Sequence, residues 1–224
     1  MSEGKRRTPL NGQRVLRAAV ALADEAGLEA VSMRNLAQSL DVVPMALYKH
    51  VANKEELLDG MIGVIVGEIE PAAADTNWKT AIRQRILSAR EALLRHPWAS
   101  RVFETRTQPT PVVLDYINSL IGMFRAGGFS VDLTHMVMHA LGSRMWGFTQ
   151  ELFPTSASGG TEPPSEARQA MAARYPFIIE IATVGAHQEP GKIVGTGCDD
   201  QLEFEFALDL MLDGFDRLRQ RERV

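Results

Sequence analysis

Cysteine is nearly absent from this chain: Cys198 is the single one in 224 residues. That excludes an intramolecular disulfide and any metal site built on several thiolates, and it fits a reducing compartment. Long apolar runs are missing as well. No stretch reaches the roughly 18 apolar residues that a membrane-spanning helix needs. The opening MSEGKRRTPLNGQR holds no apolar core segment, so no secretory leader is expected. Hairpin signals and internal repeats are lacking too. These absences point to a soluble, cytoplasmic, all-α protein with no membrane partner.

What is present is a globular proportion of hydrophobic residues, 45%, in a length that allows one or two domains. The formal net charge of −4 hides an asymmetry. Residues 1–54 carry eight Lys/Arg against five Asp/Glu, and the remainder carries sixteen against twenty-three. A basic head on an acidic body favours a polyanion at the head only.

The most informative stretch is SMRNLAQSLDVVPMALYKHV, residues 32–51. Ser32 is placed to cap a short helix whose Leu36, Ala37 and Leu40 face inward. Asp41-Val42 makes a turn, and Pro44 suits the first position of a second helix, where its missing N–H costs nothing. That helix, about two turns long, presents Met45, Tyr48, Lys49 and His50. Asn53 and Glu56 then form a capping box that starts the next helix. Two short helices locked at an angle, the second carrying polar and aromatic side chains, make a helix-turn-helix of the kind that reads DNA.

Helical periodicity accounts for most of the rest. Residues 1–10 read as a mobile tail whose Lys5-Arg6-Arg7 can touch phosphate, and a helix follows from Asn11 to Ala26, stopped by Gly27. After the helix-turn-helix, a helix from Lys54 to about Glu70 ends before Pro71. Its apolar surface is too wide for a small head, so it should join the head, 11–53, to a second core within 54–224. That core is expected to contain helices at Trp78–Arg95, Trp98–Thr105, Pro111–Ala126 and Val131–Leu152. The last of these is apolar nearly all round and should be buried on several sides. Residues 153–164 and 185–197 read as loops around a helix at 165–184, and a helix at 200–219 closes the chain. Its apolar surface exceeds what one face can hide inside a monomer.

Candidate chemistry in the body is sparse. His135 and His139 share a helix face at metal-ligand spacing, but no third ligand is evident, so neither a metal nor a cofactor is expected. Arg144 in an apolar helix needs a carboxylate, from a ligand or from a residue such as Glu203. Asp209, Asp213 and Asp216 read as a solvated stripe. Cys198 has no nearby base and reads as structural filler.

At this point the chain resembles the tetracycline-repressor (TetR) family of bacterial transcription regulators. In the head the resemblance rests on Leu36-Ala37, Leu47-Tyr48, His50-Val51 and Asn53-Lys54 with Leu57-Leu58. In the body it rests on His96-Pro97-Trp98, Thr105-Arg106, Gly127-Gly128-Phe129-Ser130 and Gly147-Phe148. It implies an all-helical homodimer that binds a palindromic double-stranded operator and is released by a small-molecule effector. It also implies a base or phosphate contact for Arg34 and phosphate contacts for Tyr48 and Lys54, to which Lys49 adds a charge. Pro44 and Met45, with Ala46, carry no hydrogen-bonding side chain where other members have Gln or Thr. Apolar contact, for instance with thymine methyls, is what they offer, and Arg34 should carry much of the sequence choice.

The expected effector pocket is lined by Met61, Ile65, Trp98, Phe103, Tyr116, Leu120, Phe124, Met138, His139, Arg144 and Trp146. Tetracycline-binding members place a magnesium-binding histidine shortly before their Thr-Arg. Here Val102, Phe103 and Glu104 precede Thr105-Arg106, so an apolar or aromatic effector is expected instead. The function that follows is a ligand-responsive repressor and not an enzyme. Alternatives are an activator of the same fold, or a helical enzyme with a vestigial head.

Overall fold

The computed structural model describes residues 9–106, 108–147, 169, 173–177, 180 and 200–222, without the side chains of 143–147 and 200. Among these residues the secondary structure is helical, with no strand. Helix α1 spans Gly12–Ala26, and a 3-10 turn follows at Leu28–Ala30. Next come α2 (Met33–Ser39), α3 (Pro44–Leu47) and α4 (Lys54–Gly67). The body holds α5 (Trp78–Arg95), α6 (Trp98–Thr105), α7 (Pro111–Ala126), α8 (Val131–Gly147) and α9 (Asp200–Glu222).

Caps set these boundaries. Asn11 accepts from the Arg14 N–H at 2.8 Å, which makes it the cap of α1 and not its first residue. Ser32 accepts from Asn35 N–H at 3.1 Å, and Pro44 opens α3. Asn53 accepts from Glu56 N–H at 2.9 Å, while the Glu56 carboxylate accepts from Ala52 N–H at 2.6 Å, one residue beyond the N-cap N–H of the usual reciprocal bond. Ser130 caps α8 through Leu133 N–H at 3.0 Å. Gly27 (φ 82°) and Gly128 (φ 85°) take the left-handed backbone that lets α1 and α7 stop.

Helix α4 ends at Gly67, three residues before the Glu70 limit read from the sequence. Two i→i−3 bonds tighten its end, Glu68 N–H to Ile65 O and Ile69 N–H to Val66 O. The α5 side chains then take over the freed backbone. Arg85 donates to the carbonyls of Ile69 and Glu70 at 3.0 and 2.8 Å, and Ser88 Oγ accepts from Glu70 N–H at 2.8 Å.

Packing divides the chain into two compact units, Met1–Met136 and Val137–Val224. Within the first, α4 packs against α1 on the head side and against α5, α6 and α7 on the body side. The head closes on Val15, Ala19, Val31, Leu36, Leu47, Val51 and Leu57, all buried. Within one protomer, Leu133, Thr134, Val137 and Leu141 of α8 are buried, while Val131 and Met136 are largely exposed. On α9 one stripe, Phe204, Leu208, Leu212 and Phe215, is buried, and a second, Leu202, Phe206 and Leu210, stands exposed. This helix runs three residues past Arg219. Cys198, the loops at 153–164 and 185–197 and most of 165–184 lie outside the described residues.

Candidate nucleic-acid interface and its connection to the body

Arg34 leaves the first turn of α2, Pro44 and Met45 open α3, and Tyr48 and Lys49 follow it, with Lys54 beginning α4. All six are exposed, Met45 at 71% and Tyr48 at 48%. Leu47 and Val51 between them are buried and hold the turn in place. Asn35 braces the preceding segment by donating to Ala30 O at 2.9 Å. Three cations therefore flank an apolar tip, on helices too short to stand without their buried face.

Carboxylates on α1 and α4 tie this head to the body. Arg106, at the end of α6, pairs with Glu55 at 2.6 Å and Asp59 at 3.0 Å in the first two turns of α4. Its own side chain is mostly buried, and those two carboxylates raise its pKa against the opposing effect of burial. At the other end of α4, Glu68 meets Arg95 at 2.9 Å and His96 Nε2 at 3.2 Å. His96 Nδ1 lies 2.8 Å from Asp24 of α1, whose same oxygen accepts from the Trp98 indole at 2.7 Å. Each ring nitrogen of buried His96 thus faces a carboxylate, and the ring donates at both only when doubly protonated. Arg101 adds an exposed pair with Glu29 at 2.6 Å, a contact of small energetic weight.

Burial pushes the Glu68 carboxyl up, but hydrogen bonds from Arg95 and His96 and their charges outweigh it and hold the pKa below its ordinary 4.5. A carboxylate with a depressed folded value adds stability above the ordinary value and loses it as pH falls through the folded one. Glu68→Gln is therefore expected to melt below wild type at pH 7, with the gap closing under acid. Thermal melts of both proteins across pH 7 to 3 check this; a constant gap would contradict it.

Four buried side-chain donors in the body have no hydrogen-bond partner among the described residues, and two of them lie together between α5 and α7. Arg85 sits on the apolar stripe of α5 between Ile82 and Ile86, with its guanidinium carbon 4.9 Å from the centre of the Tyr116 ring. Arg85 Nε and the Tyr116 hydroxyl have no hydrogen-bond partner among the described residues. Burial pushes the Tyr116 phenol up to about 12, against the opposing charge of Arg85. Because the neutral phenol is favoured on folding, stability from this group falls as pH rises from the ordinary 10.0 towards 12. Tyr116→Phe should be at least as stable as wild type in urea at pH 7, since it removes an unpaired hydroxyl. A loss above about 1 kcal/mol would show that the hydroxyl is paired.

The residues expected to line an effector pocket fall in different places. Phe103 lines a cavity of about 190 Å³ with Asp59, Ile62, Arg106, Pro109, Thr110 and Val113. Two of its lining residues carry buried polar atoms, Arg106 Nε and Thr110 Oγ1, with no hydrogen-bond partner among the described residues. Met61, Ile65, Leu120 and Phe124 are buried core residues, and Phe124 packs against Trp78 and Phe129. Trp98 is engaged with Asp24, Met138 is half-buried and His139 is exposed on α8. The side chains of Arg144 and Trp146 lie outside the described ones. No described group of three or more His, Cys, Asp or Glu is placed to hold a metal ion. No described helix is long and apolar enough to cross a membrane. Sequence reading missed the roles of Asp24, Glu68, Arg85, Arg95 and His96; an arginine in phase with the α5 core stripe was the available signal.

A capped helix-turn-helix with an exposed cationic face, carried on a larger helical body, defines a DNA-binding transcription regulator. Comparison with known proteins agrees. Residues 15–61 match the bacterial regulatory proteins of the tetR family, and residues 70–219 match the tetracyclin repressor-like C-terminal domain. The chain belongs to the TetR family of transcription regulators. It is 27% identical to the transcriptional repressor DrrR1 of Streptomyces coeruleorubidus over 94% of this chain and 78% of that protein. With the class D tetracycline repressor of Escherichia coli it shares 32% identity over 54% of this chain and 57% of that one. A solved structure from Streptomyces coelicolor A3(2), described as a possible TetR family transcriptional regulator, shares 30% identity and superposes with a TM-score of 0.71. That match covers 93% of this chain and 100% of the other.

Proposed function

We propose that the protein is a repressor that binds a palindromic operator as a homodimer and leaves it when a small molecule occupies the body. The observation that carries this reading is the joint exposure of Arg34, Pro44, Met45, Tyr48, Lys49 and Lys54 on the capped head. Arg34 forks onto a base edge or a phosphate, and Tyr48, Lys49 and Lys54 hold phosphates and set the register. In this division 11–53 reads DNA, and 54–224 binds effector and pairs subunits. Dimerisation is supported by the exposed apolar residues of α8 and α9, since a twofold contact would cover them.

The effector is largely apolar or aromatic and carries a hydrogen-bond acceptor. Unpaired Arg106 Nε and Thr110 Oγ1 at an apolar cavity support that chemistry. An occupant that draws Arg106 from Glu55 and Asp59 loosens the start of α4, where the head is attached. It does so only as far as it binds the released state more tightly. The protein acts by binding and not by turnover. Selection of duplex DNA from a random pool tests the reading, followed by a screen of aromatic metabolites for release. Enrichment of a palindrome holding two protomers is expected; failure to enrich any sequence would overturn it.

A further inference from the structure

The reading tip of the head has an unusual chemistry for a surface that meets a polyanion. Val43, Pro44 and Met45 follow one another at the start of α3, with Val43 68% and Met45 71% exposed. Neither Val43 nor Met45 offers a strong donor or acceptor, and Pro44 lacks even a backbone N–H. Their neighbours Leu47 and Val51 are buried, so the core of the head is complete without them. Exposed Arg34 lies on α2, which packs against α3, exposed Lys49 follows α3, and exposed Lys54 opens α4. A cationic rim with an apolar centre complements a duplex major groove, where phosphates form the walls. Among the four bases, thymine alone presents an apolar group there, its C5 methyl.

We propose that Val43 and Met45 are specificity-determining residues that select thymine by packing on its 5-methyl group. The inference rests on the operator-binding reading above and adds the base that is read. Both attraction and exclusion contribute. Against a thymine methyl the tip gains contact and loses water. Against cytosine or guanine it strips water from polar edges and returns no hydrogen bond. The unbranched thioether of Met45 adapts its position to the methyl, and β-branched Val43 presents a fixed surface beside it.

Deoxyuridine removes the methyl and leaves every Watson–Crick and major-groove polar atom in place. The test uses the full chain and an operator selected from random duplexes, with half-site thymines replaced symmetrically, one position at a time. Fluorescence anisotropy should give about fourfold weaker binding per methyl lost at one or two positions in each half-site, the equivalent of one buried methyl. In Met45→Ala or Val43→Ala the same replacement should change nothing at the position that variant served, while melting temperature stays at the wild-type value. Deoxyuridine bound as well as thymine at every position would overturn the inference. So would a variant that keeps the full penalty, or a selected operator without a half-site thymine. A protein that binds no duplex of any sequence fails the operator-binding reading itself and takes this inference with it.

Discussion

Phe124→Ala is expected to destabilise the protein by about 3–5 kcal/mol, read as a fall in the urea midpoint with little change in slope. Phe124 is fully buried in α7, with its ring centroid 5.8 Å from Trp78 and 5.1 Å from Phe129. Trp78 and Phe129 close the triangle at 4.7 Å, nearly edge to face. The backbone is shaped to admit this cluster. A Cβ at Gly127 would sit 2.5 Å from the Trp78 side chain, and Gly128 turns the chain so that Phe129 folds back. Arg125 then fastens the Phe129 carbonyl. Removing the phenyl ring leaves two large rings and a glycine around a void that α5 and α7 cannot fill. A loss below about 1 kcal/mol would mean that Phe124 lines an open space and is not core.

The second large effect is on DNA. Arg34→Ala combined with Tyr48→Ala is expected to weaken operator binding about 100-fold while leaving the melting temperature within a degree or so of wild type. One forked arginine contact contributes about 1–3 kcal/mol of discrimination, and each 1.4 kcal/mol is about tenfold. Both residues are exposed, and Ser32, not Arg34, caps α2, so folding does not depend on them. Anisotropy on the selected operator and a thermal melt check the pair of expectations. Unchanged affinity would remove both residues from the interface. Lost affinity with a lowered melting temperature would trace the defect to folding.

Much of the fold was legible because its signals are local. Trp78–Arg95 ends where His96-Pro97 says it must, and Pro111–Ala126 opens on Pro111 and stops at Gly127-Gly128. Ser32 and Asn53 act as caps through bonds that span three residues. What was not legible depends on partners far apart in the chain. Asp24 meets His96 and Trp98 across more than seventy residues, and Arg106 meets Asp59 across 47. Periodicity shows that a charge sits on a face, but not which charge it will meet. The end of α4 was misjudged for the same reason: Pro71 marks a stop, whereas Arg85 and Ser88 on α5 stabilise an earlier one.

Lining and core are equally hard to separate by pattern. Met61, Ile65 and Phe124 have the spacing of a pocket wall and of a packed stripe alike, and all three are buried. Only their neighbours distinguish the two, and for Phe124 these are Trp78 and Phe129. Thr105-Arg106 was visible as a motif, yet the pairing of Arg106 with Glu55 and Asp59 was not. That pairing links an apolar cavity to the first turns of α4 and thereby to the base of the head.

The salt dependence of duplex binding tests the central claim, that the exposed basic face of the head holds DNA, most directly. For wild type, the logarithm of the binding constant should fall linearly with the logarithm of salt concentration. Lys49→Ala with Lys54→Ala should flatten the slope by about 0.9 for each phosphate contact removed, hence up to about 3.6 for a dimer. A slope that is the same with and without these lysines would place the DNA elsewhere on the protein and contradict the account.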